Sequence, residues 1–110
     1  MNCLIMSVDN LSVIDYITEK DDTVILTISD HLQWDEESDH LFLLQEKINA
    51  YLMAIESGQL VSKYPASIGK QVSISVAMKY DPNDIGRLFL LRVKEALLKV
   101  GYGFSYYVVT

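Results

Sequence analysis

Two histidines and five carboxylates lie within residues 28–40, and they are the side chains of this sequence best suited to chemistry. The candidate metal ligands among them are His31, Asp35, Glu36, Asp39 and His40. Glu36 and His40 are four residues apart and would share one face of a helix. The segment lacks the HExxH spacing, the cysteine partners and the glycine-containing calcium loop that mark known site classes. The sequence therefore predicts no metal site and no cofactor.

The start of a helix accounts for the same residues better than a metal site does. Carboxylates are favoured in a first turn because the helix dipole is positive there, by about 0.3–1 kcal/mol each. Asp35 suits the N-cap position, and Trp34 before it is placed to pack on the first turns. At about 100° per residue, His40 falls at the edge of the predicted core face, where a packed histidine is ordinary. Capping is therefore favoured over a polar binding patch, and the patch over a metal site.

Four residues of this segment are kept as candidates for ligand binding: Asp30, His31, Trp34 and His40. Asp30 and the two histidines have the elements of a proton relay, but the sequence suggests no third catalytic group. Cys3 is not predicted to be a nucleophile, because no base is near it in the sequence. The sequence predicts no catalytic residue, and the balance favours a protein that is not an enzyme.

Charge is unevenly distributed along the 110-residue chain, whose length fits one domain and whose formal net charge is −6. Residues 1–39 hold ten acids and one base, whereas residues 40–110 hold five acids and eight bases. Nucleic-acid binding depends on clustered Lys and Arg, so this composition argues against DNA or RNA as a partner. We interpret the acidity mainly as a source of solubility. The second interpretation is that it complements a basic protein partner.

The sequence also limits where the protein works. No apolar run approaches the ~20 residues of a membrane span, and the N-terminus lacks the pattern of a secretory signal, so we expect no membrane association. Cys3 is the single cysteine, which excludes an internal disulfide and favours the reducing cytoplasm. Residues 1–10 are the segment most open to flexibility, and Met6 is an alternative start to Met1.

Residue patterns predict two strands and a helix in the first half. Residues 12–19 and 23–29 are rich in β-branched types, and residues 20–22 between them are typical of a hairpin turn. Apolar residues at helical spacing then predict a helix over residues 35–57. Gly58 supplies the left-handed conformation that ends this helix, and residues 59–70 are predicted to form a loop.

A strand, a helix and a final strand are predicted in the second half. Residues 71–79 alternate between apolar and small types, as a half-buried strand does. Asp81 as the cap and Pro82 at the first helical position predict the start of the helix. Its predicted core residues are Ile85, Phe89, Val93, Ala96 and Val100. Gly101 ends it, and residues 104–109 form the last strand.

The predicted order of elements is ββαβαβ, and the class is α+β. Right-handed crossovers place both helices on the same face if the connected strands step the same way across the sheet. Ser73, Ser75 and Ala77 are poor partners for a helix packed on the other face. We therefore expect a four-stranded mixed sheet with two helices mainly on one face, with helices on both faces as the alternative.

Each predicted helix carries a second, smaller apolar line away from its core stripe. Phe42 and Met53 form it on the first helix, and Leu91 and Leu98 form it on the second. For Phe42 and Met53 we favour filling of the groove between the helices. For Leu91 and Leu98, groove filling and a partner surface weigh almost equally. All four are kept as interface candidates.

The face of the sheet away from the helices is predicted to be small and polar. Its candidate residues are Thr27, Ser29, Ser73, Ser75, Ser105 and Tyr107. It is either plain solvent-exposed surface or a second docking surface, and the net charge argues against single-stranded RNA. The C-terminal strand is a candidate edge strand, open to β-augmentation by a partner.

Three segments, VILTISDHLQWDEESDHLFLLQEKINAYLMAIESGQL, VSISVAMKYDP and GYGFSYYVV, resemble a group of small bacterial proteins classed as a domain of unknown function. The likeness runs from about Ile14 to Val109. Its marks are a strand ending in SDHL, an acidic helix start with a Trp, an ESG helix end and the pair Tyr64-Pro65. The resemblance implies a compact bacterial cytoplasmic domain and no reaction, cofactor or catalytic residue. The SDHLQW turn is where a function would be sought first.

Taken together, these features favour a non-enzymatic protein-interaction module whose partner is another protein or a second copy of the chain. A small ligand-binding or enzymatic domain that uses the turn between Asp30 and His40 is the alternative. An immunity- or antitoxin-like protein is a further version, offered by analogy because such proteins are often small and acidic. A structural subunit of a larger assembly is also open.

Overall fold

The computed structural model describes residues 16–34 and 39–109, and its strands and long helices have the predicted order. The strands are β1 (Tyr16–Lys20), β2 (Thr23–Asp30), β3 (Gln71–Met78) and β4 (Gly103–Val108). The helices are α1 (Asp39–Glu56), α2 (Gln59–Lys63) and α3 (Asp84–Lys99). The predictions that fall outside the described residues concern residues 1–10 and 12–15, Cys3, Met6, Asp35 and Glu36.

All four strands form one sheet in the order β1-β2-β3-β4. β1 and β2 pair antiparallel across Asp21 and Asp22, whose φ angles of 53° and 65° lie in the left-handed region used by two-residue hairpin turns. β2, β3 and β4 run parallel, since a helical connection joins each strand to the next. The predicted hairpin and the predicted mixed sheet are both confirmed.

One face of the sheet is buried under both long helices. On β2 and β3, alternate residues such as Leu26, Ile28, Ile74 and Val76 point to this face, and all four are 0% exposed. The helical and β4 residues of the same apolar core are Leu44, Ile48, Tyr51, Leu60, Leu90, Leu97 and Phe104. Because α1 and α3 contribute to this single core, they lie on the same side of the sheet, as predicted.

Small polar residues occupy the opposite face of the sheet. The register aligns Thr27, Ser75 and Ser105 in one row across β2, β3 and β4. At the start of β4, a Cβ on Gly103 would lie 2.9 Å from Ser73 Oγ, so the two strands require a small residue there. The alternation read from the sequence therefore assigned these side chains to the correct face.

Residues 59–70 do not form the predicted loop, because they contain two short helical turns. Gly58, with a φ of 90°, ends α1 as expected, but the chain enters α2 at once. A 3₁₀ turn at Pro65–Ser67 follows. Leu60 of α2 is only 2% exposed, so burial of one apolar side chain orders this segment. So short an element shows no recognisable period in the sequence.

The N-cap of helix α3 lies two residues later in the chain than predicted. Its N-cap is Asn83, whose side chain accepts a hydrogen bond from the Gly86 N–H at 2.8 Å. Asp81 is exposed, and its carboxylate lies 2.8 Å from an Arg87 guanidinium nitrogen instead. The predicted cap was wrong because both Asp81 and Asn83 suit an N-cap, and Pro82 was taken as the first helical residue.

The buried stripe of α3 is also displaced by about one residue from the prediction. Leu90 and Leu97 are 1% and 3% exposed, whereas the predicted core residues Ile85 and Val100 are 66% and 59% exposed. The buried stripe includes Gly86, which an apolar pattern does not register as a core position. The prediction from the sequence therefore assigned burial to the neighbouring apolar line, which is more continuous.

Groove filling by Phe42 and Met53 is not observed, since the two residues are 63% and 70% exposed. The groove between α1 and α3 is instead lined by residues that include Ile48, Leu52 and Val93. Phe42 and Met53 lie on the outer side of α1. The prediction that Phe42 and Met53 fill the groove was wrong, because the two helices meet along a line closer to the core stripe.

Candidate functional site

Asp30 at the end of β2 and His40 in the first turn of α1 form a buried pair. Asp30 Oδ2 and His40 Nε2 are 2.5 Å apart, and the residues are 2% and 3% exposed. Asp30 Oδ1 accepts a hydrogen bond from the Leu32 N–H at 3.1 Å. His40 Nδ1 lies 3.1 Å from the Gln33 carbonyl oxygen. Because a carbonyl oxygen only accepts, His40 Nδ1 is the donor in its contact with Gln33.

Trp34 covers this pair and connects it to the rest of the fold. The centroids of the Trp34 and His40 rings are 3.8 Å apart, with the planes tilted by 37°. The indole Nε1–H donates to the Tyr80 carbonyl at 3.2 Å, just beyond β3. The six-membered ring of the indole faces Gly86 in α3. The cluster therefore holds together the ends of β2 and β3 and the starts of α1 and α3.

The contacts of this cluster fit a structural role better than acid–base catalysis. A general base must come within hydrogen-bond reach of a substrate proton. Both ring nitrogens of His40 already face partners inside the protein, and the Asp30 side chain is 0% exposed. Within residues 16–34 and 39–109, no three His, Cys, Asp or Glu side chains converge as a metal site requires.

His31 does not join this cluster, although the sequence grouped it there. It is exposed and lines a shallow cleft of about 400 Å³ beside the carboxyl ends of the parallel strands. The other lining residues are Ser29, Asp30, Ala77, Lys79 and Val109. Of the four predicted ligand-binding residues, the structure thus brings the side chains of Asp30, Trp34 and His40 into one buried cluster, and the His31 side chain lies outside it.

β4 is an end strand of the sheet, and its outer edge has no partner strand among the described residues. The Val109 N–H donates to the Met78 carbonyl at 2.6 Å. Because alternate residues direct their backbone groups to opposite sides, Tyr106 and Val108 direct theirs away from β3. The strand GFSYYV contains neither a charged residue nor a proline, the usual protections of an edge. It is therefore open to pairing with another strand.

A groove of about 320 Å³ lies between this edge and α3. Its floor is apolar, since Leu90 and Phe104 are 1% and 5% exposed. The side chains that line it from α3 are Arg87, Leu90, Leu91 and Lys94. Tyr106, which is 39% exposed, lines it from β4. We call this feature the β4–α3 groove; it combines backbone hydrogen-bonding groups, an apolar floor and cationic side chains.

The α3 side of the β4–α3 groove is basic. α3 contains four bases and two acids, a net charge of +2 (4 − 2). Arg87 is already engaged, with guanidinium nitrogens 2.8 Å from Asp81 and 3.2 Å from Asp84. Lys94 is exposed and forms no ion pair with any other described residue. Lys94 is therefore available to a carboxylate from outside.

Exposed leucines extend the apolar surface along α3. Leu88, Leu91 and Leu98 are 52%, 53% and 66% exposed and share one side of the helix. Leu91 lines the β4–α3 groove, and Leu98 lies two turns further along. Leu91 and Leu98 thus lie off the core stripe as the sequence indicates, and their part in an interface stays a prediction.

The other edge strand, β1, is charged. It contains Glu19 and Lys20 and leads into the acidic turn at Asp21 and Asp22. A hydrogen bond from the Lys70 ammonium to the Glu19 carboxylate lowers the pKa of Glu19 below 4.5 and raises the pKa of Lys70 above 10.5. The two edges of the sheet thus differ in chemistry, and the uncharged one is β4.

Two features near these sites were missed in the sequence. Lys47 is 0% exposed, and its ammonium lies 5.3 Å from the centroid of the Tyr51 ring. Its position about 20° from His40 on the helix would have placed it on the core face.

The second feature is the environment of Tyr80. A hydrogen bond from Gln33, with the Lys79 ammonium nearby, lowers the pKa of Tyr80 below 10.0. Only the folded chain brings Gln33 to Tyr80, so no local signal predicts it.

The chain belongs to a family of unknown function, DUF6572, whose model matches residues 6–110. The expected membership of an uncharacterised domain family is thereby confirmed. No curated protein and no solved structure matches the chain. None of the helices within residues 16–34 and 39–109 has the length and apolar character needed to cross a bilayer. The family provides no reaction, so a function has to be argued from the geometry.

Proposed function

We propose that this member of DUF6572 is a non-enzymatic protein-interaction module that takes up a partner by strand addition at β4. The observation that carries the proposal is the uncharged outer edge of β4, which no described strand covers. Exposed backbone groups on an edge strand pair readily with an extended segment, and main-chain hydrogen bonds supply affinity in such complexes. We place this interaction in the cytoplasm, in keeping with the single cysteine of the chain.

The surroundings of β4 support the proposal. Leu91 and Tyr106 lie beside the edge and are 53% and 39% exposed, so a docked strand would remove apolar surface from water. The other edge, β1, carries Glu19 and Lys20, which oppose pairing. The asymmetry favours docking at one edge over indefinite edge-to-edge association.

The Asp30–His40 pair favours this function over catalysis. Its polar atoms are occupied by protein partners, and Trp34 stacks against the imidazole. A buried pair of this kind fixes the positions of the elements it joins. We therefore assign it to the stability of the fold and assign recognition to β4.

Tyr106→Pro tests the proposal, because it removes one outward N–H from the edge while leaving the bonds between β3 and β4 in place. Tyr106→Ala is the matched control, since it also loses the phenol ring but keeps the N–H. A partner that co-purifies from the native host is isolated and its rebinding measured by calorimetry. We expect Tyr106→Ala to weaken rebinding by the loss of the ring's apolar contact, and Tyr106→Pro to abolish it.

Hydrogen exchange of the complex identifies the contact directly. We expect the amides of Tyr106 and Val108 to become protected when the partner binds. Two results together would place the interface elsewhere and end the proposal. They are full rebinding of the partner to a folded Tyr106→Pro variant, and unchanged exchange of the Tyr106 and Val108 amides in the wild-type complex.

A further inference from the structure

We infer that the segment which docks on β4 is extended and acidic, with an apolar side chain inserted in the β4–α3 groove between two flanking carboxylates. This inference rests on the proposed function and specifies its partner. The inference rests on three features that share one groove. They are outward backbone groups, an apolar floor and the ammonium of Lys94, which has no ion-pair partner within residues 16–34 and 39–109.

The backbone of the groove fixes the conformation of the occupant. Tyr106 and Val108 direct their N–H and C=O groups away from β3, and only an extended chain matches two such residues in succession. The occupant would become a fifth strand of the sheet. Its side chains would then alternate between the polar face of the sheet and the face that carries α3.

The floor of the groove fixes the type of the central side chain. Leu90 and Phe104 are buried at its base, and Leu91 forms part of the wall. A volume of about 320 Å³ is at the small end for a ligand pocket, so it suits a side chain of a longer segment better than a separate molecule. An apolar side chain would cover this floor without burying a polar group.

The walls of the groove fix the charge of the flanking residues. Arg87 and Lys94 are seven residues apart, or about 10 Å along the helix. Carboxylates two residues before and after the inserted side chain would be about 14 Å apart, which matches this spacing. Lys94 would pair with one of them directly, and Arg87 would exchange its exposed pairs with Asp81 and Asp84 for the other. Lys94 has no ion-pair partner among the described residues, so it favours an acidic segment and opposes a basic one.

The same charge argues against a second copy of the chain as the occupant. Pairing of β4 with β4 of another copy would bring two α3 helices together, each with a net charge of +2. Like charges across an interface are unfavourable. A distinct acidic partner removes this repulsion.

Two capped peptides serve as probes, Gly-Glu-Thr-Val-Thr-Glu-Gly and its matched control Gly-Lys-Thr-Val-Thr-Lys-Gly. Each is titrated at low salt into the ¹⁵N-labelled full chain, and amide shifts in β4 and α3 report binding. We expect the glutamate peptide to bind with shifts at Tyr106 and Val108, about ten-fold more tightly than the lysine peptide. Lys94→Glu should reverse this preference. Lys99→Glu, which makes the same charge change elsewhere on α3, should alter it little.

The remaining outcomes separate this inference from the proposed function. Equal or tighter binding of the lysine peptide at β4 overturns the acidic specificity and leaves strand addition standing. Binding of neither peptide overturns the inference, while rebinding of the purified partner to the wild type but not to Tyr106→Pro still upholds the function. Concentration-dependent shifts of the same amides without peptide would identify a second copy as the occupant and overturn the inference. Glutamate-peptide binding that survives in a folded Tyr106→Pro variant contradicts both.

Discussion

Trp34 Cε3 and Cζ3 each lie 2.8 Å from the position that a Cβ on Gly86 would occupy. A side chain at this position would therefore force the helix and the indole apart. The same indole stacks on His40, so the contact holds α3 against the buried Asp30–His40 pair. Gly86 is thus a packing residue, although a glycine inside a helix ordinarily reduces stability.

Overpacking of a core costs about 1–3 kcal/mol, and we expect Gly86→Ala to incur this steric cost. Alanine is favoured over glycine in a helix by about 1 kcal/mol, so the measured free energy of unfolding should fall by up to about 2 kcal/mol. Equilibrium denaturation in urea measures the change.

The control for this prediction is the same substitution in a Trp34→Ala background, where the close contact is absent. There we expect Gly86→Ala to raise the free energy of unfolding by up to about 1 kcal/mol, through helix propensity alone. An equal effect of Gly86→Ala in both backgrounds would show that the indole does not set its cost.

His40→Ala should destabilise the fold strongly, because it leaves the buried carboxyl of Asp30 without its partner. We expect a loss of about 3 kcal/mol in the free energy of unfolding. His31→Ala is the matched control: His31 is exposed, so its loss should change stability by less than about 0.5 kcal/mol. Thermal and urea denaturation of both variants provide the comparison.

An unchanged melting temperature for His40→Ala would speak against a structural pair. It would return His40 to the class of ligand-binding residues, where a substitution reduces binding and leaves the fold intact. The two histidines therefore distinguish the structural and the ligand-binding readings of residues 28–40 in a single experiment.

The sheet was predictable because its signals are local. Alternation along residues 71–79 assigned Ile74 and Val76 to the core and Ser75 to the polar face, as observed. The acidic pair at Asp21 and Asp22 marked the hairpin turn. Right-handed crossovers predicted a common side for both long helices only on condition that the connected strands step in one direction, and the sequence did not give that strand order.

The details of α3 were not predictable, because they depend on contacts distant in sequence. Its buried stripe includes Gly86, which has no side chain and packs against Trp34. The residues of the Asp30–His40 pair were identified as candidates, but their role depends on burial. Neither the 2.5 Å bond nor its coverage by Trp34 follows from residue spacing.

The start of α3 can be tested by comparing its two candidate caps. Asn83→Ala removes the side-chain acceptor of the Gly86 N–H, and we expect a loss of about 1 kcal/mol in the free energy of unfolding. Asn83→Ser keeps an acceptor at the same position and should recover most of that loss. Asp81→Ala removes only an exposed ion pair with Arg87 and should cost less than about 0.5 kcal/mol. A larger loss for Asp81→Ala than for Asn83→Ala would move the cap back to Asp81.

The ion pair between Glu19 and Lys70 should contribute to stability only within a window of pH. The pKa of Glu19 is lowered from 4.5 by the Lys70 hydrogen bond, so its contribution is present above pH 4.5 and is lost as pH falls through the lowered pKa. The pKa of Lys70 is raised from 10.5, so its contribution is present below pH 10.5 and is lost as pH rises through the raised pKa.

Melting temperatures of the wild type and of Lys70→Gln, measured against pH, test this window. We expect the variant to melt at a lower temperature at pH 7, by a small margin because the pair is on the surface, and the margin to close on acidification below pH 4.5. Glu19→Gln should give the same margin, and the double variant should show no further loss, because each substitution removes the same contact. Lys63→Gln, which neutralises an exposed lysine of α2, should show no comparable pH-dependent margin. A Lys70→Gln margin that persists unchanged in acid would mean that Lys70 stabilises the protein through its aliphatic stem rather than through Glu19.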